Sequence, residues 1–250
     1  MKKITFIGTG DAFHSGGRAH SCYLIETVSG QFLLVDAGAT ALYRMQKMEL
    51  STDLLDGILF THFHGDHISG LPFLLMEMDI VKRRKKELLL MGPRGIDEEW
   101  GKWLDLFYPG HVLKFPIRTA VIDSDESVFF GLGISSRPVN HKKESQGYRI
   151  KDRKGRIFVF SGDTAMDDAL ISLVNDSYCA VIEMSMEKQV NPPVLHIAMN
   201  ELIEKRHLLN TKHLIISHTS PDLAEMIHAK RICNTAEDGM VLDLDGPLFS

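Results

Sequence analysis

Residues 61–70 read THFHGDHISG, so that three histidines and one aspartate fall within six positions. Neutral imidazole and carboxylate are the usual protein ligands of zinc and its first-row neighbours, and the glycine lets the backbone turn tightly between them. His62 and His64, two positions apart on an extended segment, can share one metal, whereas Asp66 and His67 turn toward a second. A polar turn with chance histidines is the alternative, but four ligand-type side chains in so short a segment favour a metal site.

The composition of the 250-residue chain is that of a soluble globular protein, with 44% hydrophobic and 24% charged residues. Its net charge of −5 argues against a general nucleic-acid coat or a membrane-surface protein. The three cysteines are scattered without a CxxC pair, which predicts neither a disulfide framework nor a thiolate zinc site and fits a reducing compartment. No segment approaches the ~20 apolar residues of a membrane helix, and the first strand pattern reaches Gly8 too early for a signal peptide. A cytoplasmic protein without membrane contact is therefore expected.

Short strand patterns alternate with helical patterns along the whole chain. The predicted strands cover residues 3–8, 21–27, 31–35, 58–61, 88–91, 112–115, 119–122, 127–130, 133–136, 148–151, 156–160, 179–183, 214–217 and 241–244. The predicted helices cover residues 39–50, 68–81, 98–108, 165–174, 197–209 and 221–230. The loop after the first strand has Phe13 where a dinucleotide-binding GxGxxG needs its third glycine, so we exclude a Rossmann domain. Because no linker or repeat interrupts the pattern, one α/β domain over residues 1–250 is the simplest organisation.

Three more ligand-type residues follow predicted strands, namely His141, Asp163 and His218. The carboxyl ends of strands in layered α/β proteins open into one crevice, so residues distant in sequence can meet there. Together with the residues of the 61–70 segment they make five histidines and two carboxylates. This inventory suits two divalent ions that share a bridging carboxylate.

Further short motifs accompany these ligand candidates. They are Gly-Thr-Gly at 8–10, Val-Asp-Ala-Gly at 35–38, Gly-Pro at 92–93, Gly-Tyr-Arg-Ile at 147–150, Ser-Gly-Asp-Thr at 161–164 and Ser-His at 217–218. With HxHxDH at 62–67 and the isolated His141, the set resembles the metallo-β-lactamase fold superfamily and its ribonuclease Z-like branch. The resemblance implies an α/β (α+β) fold, a four-layer αββα sandwich, with a dinuclear zinc site at one edge. It implies seven metal ligands in two groups bridged by Asp163: His62, His64 and His141 on one ion, and Asp66, His67 and His218 on the other.

Two divalent metal ions follow from this ligand set, with Zn²⁺ as the first expectation and Mn²⁺ or Fe²⁺ also compatible. Two ions roughly 3.5–4 Å apart can lower the pKa of a bridging water and generate a hydroxide nucleophile. The resemblance suggests that Asp66 both ligates a metal and orients that water. It also aligns His196 with a histidine thought to act on the leaving group, although a histidine near a helix start could equally satisfy backbone donors. Glu183 matches the glutamate of the family's HEAT element, but Ile182 replaces the preceding histidine, which predicts an incomplete Glu–His relay.

The ribonuclease Z-like branch processes the 3′ end of precursor transfer RNA and carries an RNA-gripping arm between the motifs of His141 and Asp163. Here residues 142–162 leave little more than a hairpin, and the net charge is negative. The leading hypothesis is therefore a dinuclear phosphodiesterase that acts on a small molecule, including a cyclic one, or on a short oligonucleotide. No stable nucleic-acid partner is expected, and a homodimer is compatible with the resemblance.

Two other functions stay open. The same site can hydrolyse a carboxylic ester, lactone or thioester, because an activated water can also attack an acyl carbon. A non-catalytic metal-binding module is the alternative from another class, and the presence of all seven ligand candidates disfavours it. The basic run at residues 82–86 is open in the same way. It predicts either a solvated helix end or a patch that binds a phosphate.

Overall fold

The computed structural model describes residues 1–246 as two seven-stranded sheets with helices on their outer faces. The strands are β1 (Lys3–Gly8), β2 (Cys22–Glu26), β3 (Phe32–Val35), β4 (Leu55–Leu59), β5 (Leu88–Gly92), β6 (Ile117–Val121), β7 (Ser127–Phe129), β8 (Leu132–Pro138), β9 (Gln146–Lys151), β10 (Ile157–Phe160), β11 (Ser177–Glu183), β12 (Thr211–Ser217), β13 (Asn234–Thr235) and β14 (Val241–Asp243). The helices are α1 (Ala41–Lys47), α2 (Gly65–Ile68), α3 (Leu71–Met76), α4 (Ile96–Phe107), α5 (Asp168–Val174), α6 (Met199–Lys205) and α7 (Pro221–Ala229).

Each sheet has one antiparallel half and one parallel half. The first sheet has the order β14-β1-β2-β3-β4-β5-β6, and its strands from β3 to β6 are parallel. The second has the order β13-β12-β11-β10-β9-β8-β7, and its strands from β10 to β13 are parallel. The carboxyl ends of β4, β10 and β12 therefore bring the predicted ligand segments to the edges of the two parallel halves.

Alternation along single strands builds the layers, because successive side chains of a strand point to opposite faces. In β3, Leu33 and Val35 pack into the core between the two sheets, whereas Leu34 packs against the helices of the outer face. The outer face of the second sheet packs in the same way against α5, α6 and α7, for example through Val159 and Ile216. Helices thus cover both outer faces, and the predicted four-layer αββα sandwich is confirmed. The single-domain organisation stays a prediction.

The prediction of a strand at residues 112–115 is wrong. This segment is a loop whose backbone bonds to a side chain instead of to a neighbouring strand, since the Lys114 N–H donates to Asp79 Oδ1 at 2.9 Å. Its apolar residues gave the strand-like pattern, but Phe115 is buried against the helical layer while Val112 is 80% exposed. The pairing of the edge strand with β5 begins only at Ile117.

Two further predictions needed adjustment. The helix expected over residues 68–81 is divided into α2, α3 and one wide turn over Glu77–Val81, with Pro72 in the first turn of α3. The strand β13 escaped prediction because two residues carry no readable alternation. Across residues 1–246, no helix combines the length and the hydropathy that a membrane span requires.

Three residues of the basic run at residues 82–86 make contacts within the protein, and one of them is buried. Arg84 is 2% exposed, and its guanidinium donates to backbone carbonyl groups of four residues. Lys82 pairs with Glu77 at 3.3 Å, and Lys86 pairs with Asp56. These contacts favour a structural role for the run over a phosphate-binding patch.

Candidate metal centre

The seven predicted ligand residues converge between the two parallel halves of the sheets. Their donor atoms form two groups, and within each group all donor atoms lie within 4.8 Å of one another. The groups are His62, His64, His141 and Asp163, and Asp66, His67, His218 and Asp163. Asp163 belongs to both, which is the division that the resemblance implied. The role of these residues as metal ligands stays a prediction.

The segment between β4 and α2 is held by one buried carboxylate, that of Asp36. This residue directly follows β3 with a positive φ of 56°, and it accepts hydrogen bonds from the Thr61 N–H at 2.8 Å and the Thr61 hydroxyl at 2.9 Å. It also accepts from His67 Nδ1 at 2.8 Å. Because a carboxylate only accepts, the Nδ1 of His67 carries a proton, and its Nε2, which faces the centre, presents a lone pair whenever the ring is neutral.

The same reasoning fixes the tautomer of His62. The Thr61 hydroxyl has one proton, which it gives to Asp36, so at 3.0 Å it accepts from His62 Nδ1. His62 Nε2 therefore also presents a lone pair. It lies 3.7 Å from Asp163 Oδ2, while His67 Nε2 lies 3.1 Å from Asp163 Oδ1. Both nitrogens face one carboxylate, and a cation between them would stabilise this arrangement.

The glycine before Asp163 allows the backbone to place this aspartate at the centre. Gly162 adopts a φ of +59°, and a Cβ at this position would lie 2.8 Å from the Cβ of Thr61. The two sheets thus approach each other closely enough for one carboxylate to face histidines from both. A side chain at residue 162 would force the strands apart and withdraw Asp163 from the centre.

A second buried carboxylate, Glu183 at the end of β11, organises the opposite side. Its Oε1 accepts from the Thr164 N–H at 2.8 Å, which fixes the backbone directly after Asp163. The same oxygen accepts from His196 Nδ1 at 2.7 Å. Its Oε2 accepts from the Ser185 hydroxyl at 2.8 Å. One side chain therefore positions a candidate ligand, a candidate catalytic histidine and a hydroxyl group.

Ser185 bonds to the Nδ1 of His218 in the same way as Thr61 bonds to that of His62. Its proton goes to Glu183, so its oxygen accepts from His218 Nδ1 at 3.1 Å. The Nε2 of His218 faces the centre, 3.2 Å from Asp66 Oδ2 and 3.6 Å from Asp163 Oδ1, and it presents a lone pair only when the ring is neutral. The tautomer of each of these histidines is thus set by a hydrogen bond on the nitrogen that faces away from the centre.

His141 and His64 complete the other group. The Nδ1 of His141 donates to the Leu195 carbonyl at 2.9 Å, which leaves a lone pair on its Nε2. That atom lies 3.0 Å from His64 Nδ1 and 3.8 Å from Asp163 Oδ2. Nitrogens from two distant parts of the chain therefore point at the same volume beside Asp163.

The prediction of an incomplete Glu–His relay is wrong. The residue before Glu183 is indeed Ile182, but His196 supplies the imidazole at 2.7 Å. The alternative role of His196, the satisfaction of backbone donors at a helix start, is not observed. Its Nδ1 bonds to Glu183, and the Ala198 N–H before α6 donates to Glu201 at 3.1 Å instead. The pairing could not be read from sequence because a folded-back loop separates the two residues.

A divalent cation fits this donor set. Among residues 1–246, five buried side-chain nitrogen or oxygen atoms have no hydrogen-bond partner, and three of them are His62 Nε2, His67 Nε2 and Asp163 Oδ1. Leaving such atoms unpaired is costly, and they point toward one another between two groups of neutral imidazole and carboxylate. These are the donors that zinc and related ions prefer.

The pKa shifts of the histidines at the centre also indicate a site for a cation. Burial lowers the pKa of His62 well below its ordinary value. Burial also lowers the pKa of His67, but the facing carboxylates of Asp163 and Asp36 outweigh it and hold that pKa well above its ordinary value. Burial acts against the charge of His218 as well, yet Asp163 and a second aspartate raise its pKa to about 9. The carboxylates thus stabilise positive charge at the centre. Protons on the histidines supply this charge when metal is absent, and they are released when metal binds.

Sequence reasoning missed the residues that orient the candidate ligands. Asp36 lies in a recognised motif, but the pattern did not reveal that its carboxylate holds Thr61 and His67. Thr61 and Ser185 gave no signal beyond their adjacency to His62 and Glu183. A hydroxyl beside a candidate ligand is too common to indicate an orienting role.

Known proteins resemble this chain in sequence and in fold. The family model described as "Anti-Pycsar protein Apyc1" matches residues 2–241. The chain is 28% identical over 248 residues to the mitochondrial ribonuclease Z of Drosophila melanogaster, a match that covers 89% of this chain but only 32% of that protein. It is 27% identical over 207 residues to the Anti-Pycsar protein Apyc1 of Paenibacillus harenae, with coverage of 80% and 83%. Among solved structures, the metallo-β-lactamase fold protein YhfI from Bacillus subtilis superposes with a TM-score of 0.79 at 20% identity, covering 96% of this chain and 98% of YhfI.

Proposed function

Because the chain belongs to the Anti-Pycsar protein Apyc1 family and has the metallo-β-lactamase fold, we propose that it is a metal-dependent hydrolase of small phosphodiesters. The observation that carries the proposal is the pair of donor groups sharing Asp163, three of whose buried donor atoms lack a hydrogen-bond partner. The family description names an anti-Pycsar role. Hydrolysis of a small phosphodiester, including a cyclic one, is the chemistry through which we propose that this chain acts in such a role.

The segment between His141 and Asp163 favours a small substrate. After a tight turn, it consists of β9 and β10, which pair directly as an antiparallel hairpin. No residues remain in this described segment for an arm that could grip a folded RNA. The net charge of −5 also disfavours a long polyanion. We therefore propose a small molecule or a short oligonucleotide as substrate.

The residues of the two groups would hold two divalent ions, which when bound polarise a phosphoryl oxygen and lower the pKa of a water molecule. Asp66 would position that water. Its Oδ2 lies 3.3 Å from His67 Nε2 and 3.2 Å from His218 Nε2. Burial raises the pKa of Asp66, but the hydrogen bond from His218 and the nearby imidazole of His67 outweigh burial and hold that pKa well below its ordinary value, so the carboxylate stays ionised. An ionised, 13% exposed carboxylate within the second donor group can accept a hydrogen bond from a nucleophilic water.

His196 would protonate the leaving-group oxygen. Its Nδ1 is held by Glu183, its side chain is 26% exposed, and its ring centroid lies 4.7 Å from that of His141. Burial lowers the pKa of His196, but the hydrogen bond and charge of Glu183 outweigh burial and raise it. A protonated imidazole whose Nε2 is not used by Glu183 can donate a proton at the edge of the centre.

Replacing His196 by alanine tests this role through the leaving group. Loss of a general acid typically lowers rates by about 10²–10⁴-fold when the leaving group is a basic alkoxide. We therefore expect kcat to fall by roughly 10²-fold or more for a 3′,5′-cyclic mononucleotide. For bis(p-nitrophenyl) phosphate we expect a fall below about tenfold, because nitrophenolate leaves without protonation. Metal content, measured in parallel, should be that of the unmodified protein. An equal loss for both substrates would show that His196 does not act on the leaving group.

A substrate panel on metal-reconstituted protein tests the proposed function itself. The panel compares bis(p-nitrophenyl) phosphate and 3′,5′-cyclic mononucleotides with p-nitrophenyl acetate and a simple lactone. We expect kcat/KM for the phosphodiesters to exceed that for the acyl substrates. Hydrolysis confined to the acyl substrates would overturn the proposal in favour of an esterase or lactonase, and inactivity toward every substrate would favour a metal-binding module.

A further inference from the structure

The turn that carries His141 also carries a lysine whose backbone is firmly held. The Lys142 N–H donates to the Ser145 hydroxyl at 3.1 Å, and the Ser145 N–H donates back to the Lys142 carbonyl at 3.1 Å. Ser145 is only 2% exposed, and the next residue, Gln146, donates its N–H to the Thr61 carbonyl at 3.0 Å. The turn is thereby tied to the segment of the first sheet that bears His62. The backbone of Lys142 is fixed at the rim of the candidate centre.

The charge of Lys142 is not neutralised by a carboxylate. Lys142 is exposed, and within residues 1–246 it takes part in no ion pair. Burial is the main cause that lowers the pKa of His64, and the charge of Lys142 lowers it further against the opposing effect of Asp163. The charge of the ammonium group therefore acts on His64. The neighbouring Lys143 is also exposed and unpaired in the described chain, but it lies one residue further from His141.

A cation at this position distinguishes between classes of substrate. The scissile group of a phosphodiester carries one negative charge, shared by its two non-bridging oxygens, whereas an ester, lactone or thioester carries none. An ammonium group can donate three hydrogen bonds and attracts an anionic oxygen strongly where water is partly excluded. A solvated surface lysine is the ordinary role for such a side chain. The fixed backbone, the adjacency to His141 and the missing carboxylate partner favour substrate contact.

We infer that Lys142 binds a non-bridging oxygen of the scissile phosphodiester and so selects anionic over neutral substrates. This inference rests on the proposed function, because it assigns a residue to the binding of that substrate class. Since the contact is present both in the bound substrate and in the transition state, its loss should raise KM far more than it lowers kcat.

Kinetics of three variants on bis(p-nitrophenyl) phosphate test the inference. A hydrogen bond to a charged group typically accounts for about a tenfold effect on binding or more. Lys142→Ala should therefore raise KM about tenfold and weaken inhibition by inorganic phosphate by a similar factor. Lys142→Arg should restore KM to within about threefold, because the charge is kept. Lys143→Ala is the matched control, and its KM should equal that of the unmodified protein. Added salt should raise KM less in Lys142→Ala than in the unmodified protein, because one attraction that salt screens is gone.

Equal KM values for Lys142→Ala and Lys143→Ala would overturn the inference, as would a KM in Lys142→Arg as high as in Lys142→Ala. These failures differ from a failure of the proposed function. An unmodified protein that does not hydrolyse the phosphodiester refutes the proposed function. An unmodified protein that is active, but whose KM is unchanged when Lys142 is replaced, refutes only the role of the lysine.

Discussion

Replacing Asp163 by alanine is expected to abolish binding of both metal ions and to lower phosphodiester hydrolysis by about 10³-fold or more. Asp163 is the only residue common to both donor groups among those that the structure describes. Its Oδ1 lies 3.1 Å from His67 Nε2, and its Oδ2 lies 3.7 Å from His62 Nε2. Metal ions typically contribute several kcal/mol to a phosphoryl-transfer transition state, and about 1.4 kcal/mol corresponds to a tenfold change in rate. Metal per chain by mass spectrometry and kcat/KM on bis(p-nitrophenyl) phosphate measure the two effects.

Asp167→Ala provides the matched control for this change. Asp167 lies four positions after Asp163, but its carboxylate accepts from the N–H groups of Ala169 and Leu170 and caps α5. Its loss should lower the free energy of unfolding by about 1 kcal/mol without changing the bound metal. If Asp163→Ala kept two ions per chain, or kept its activity, Asp163 would not bridge the two groups.

Replacing Asp36 by alanine is expected to have the largest effect on stability. The carboxylate is 1% exposed and accepts three hydrogen bonds, two from Thr61 and one from His67. Alanine would leave those donors buried without a partner, and breaking a buried, hydrogen-bonded charge pair typically costs about 3–5 kcal/mol. We expect the free energy of unfolding of the metal-free protein to fall by about that amount, measured by urea denaturation. Working without metal separates this effect from the loss of ligand orientation.

Two comparison variants sharpen the Asp36 prediction. Asp125→Ala removes an exposed carboxylate of the same size and should change stability by less than about 0.5 kcal/mol. Asp36→Asn retains one acceptor oxygen but places a donor toward the other contacts, so its cost should lie between the two alanine variants. A midpoint for Asp36→Ala that matched that of Asp125→Ala would show that the Asp36 network adds nothing to stability.

The fold was predictable from sequence wherever burial imposed a regular pattern. Strands such as β3 and β11 are buried on both faces and read as apolar runs, and the dense HxHxDH segment placed the end of a strand at residue 61, two residues after the end of β4. Prediction failed at residues 112–115 because apolar side chains can pack from a loop when a carboxylate, here that of Asp79, bonds the backbone. A local sequence pattern indicates which side chains are buried, but it does not indicate which group a backbone N–H or carbonyl bonds.

Only the candidate metal ligands of the site were predictable from sequence, and the residues that orient them were not. Ligand-type residues stand out by side-chain chemistry and by position after strands, so their convergence could be anticipated. Their division into two groups around Asp163 was implied by the family resemblance. The hydrogen bonds of Glu183 with His196 and Ser185 join segments that meet only in the folded chain. Orientation of the histidines by hydroxyl groups depends on distances of about 3 Å, which residue spacing does not encode.

Titration of metal into chelator-treated protein shows directly whether the chain holds two catalytic metal ions. Two donor groups that share Asp163 predict two sites per chain. Hydrolysis of bis(p-nitrophenyl) phosphate should be absent in the metal-free protein and should rise with added Zn²⁺ until two equivalents per chain are bound. Full activity without metal, or a protein that binds no divalent ion, would contradict a dinuclear hydrolytic centre.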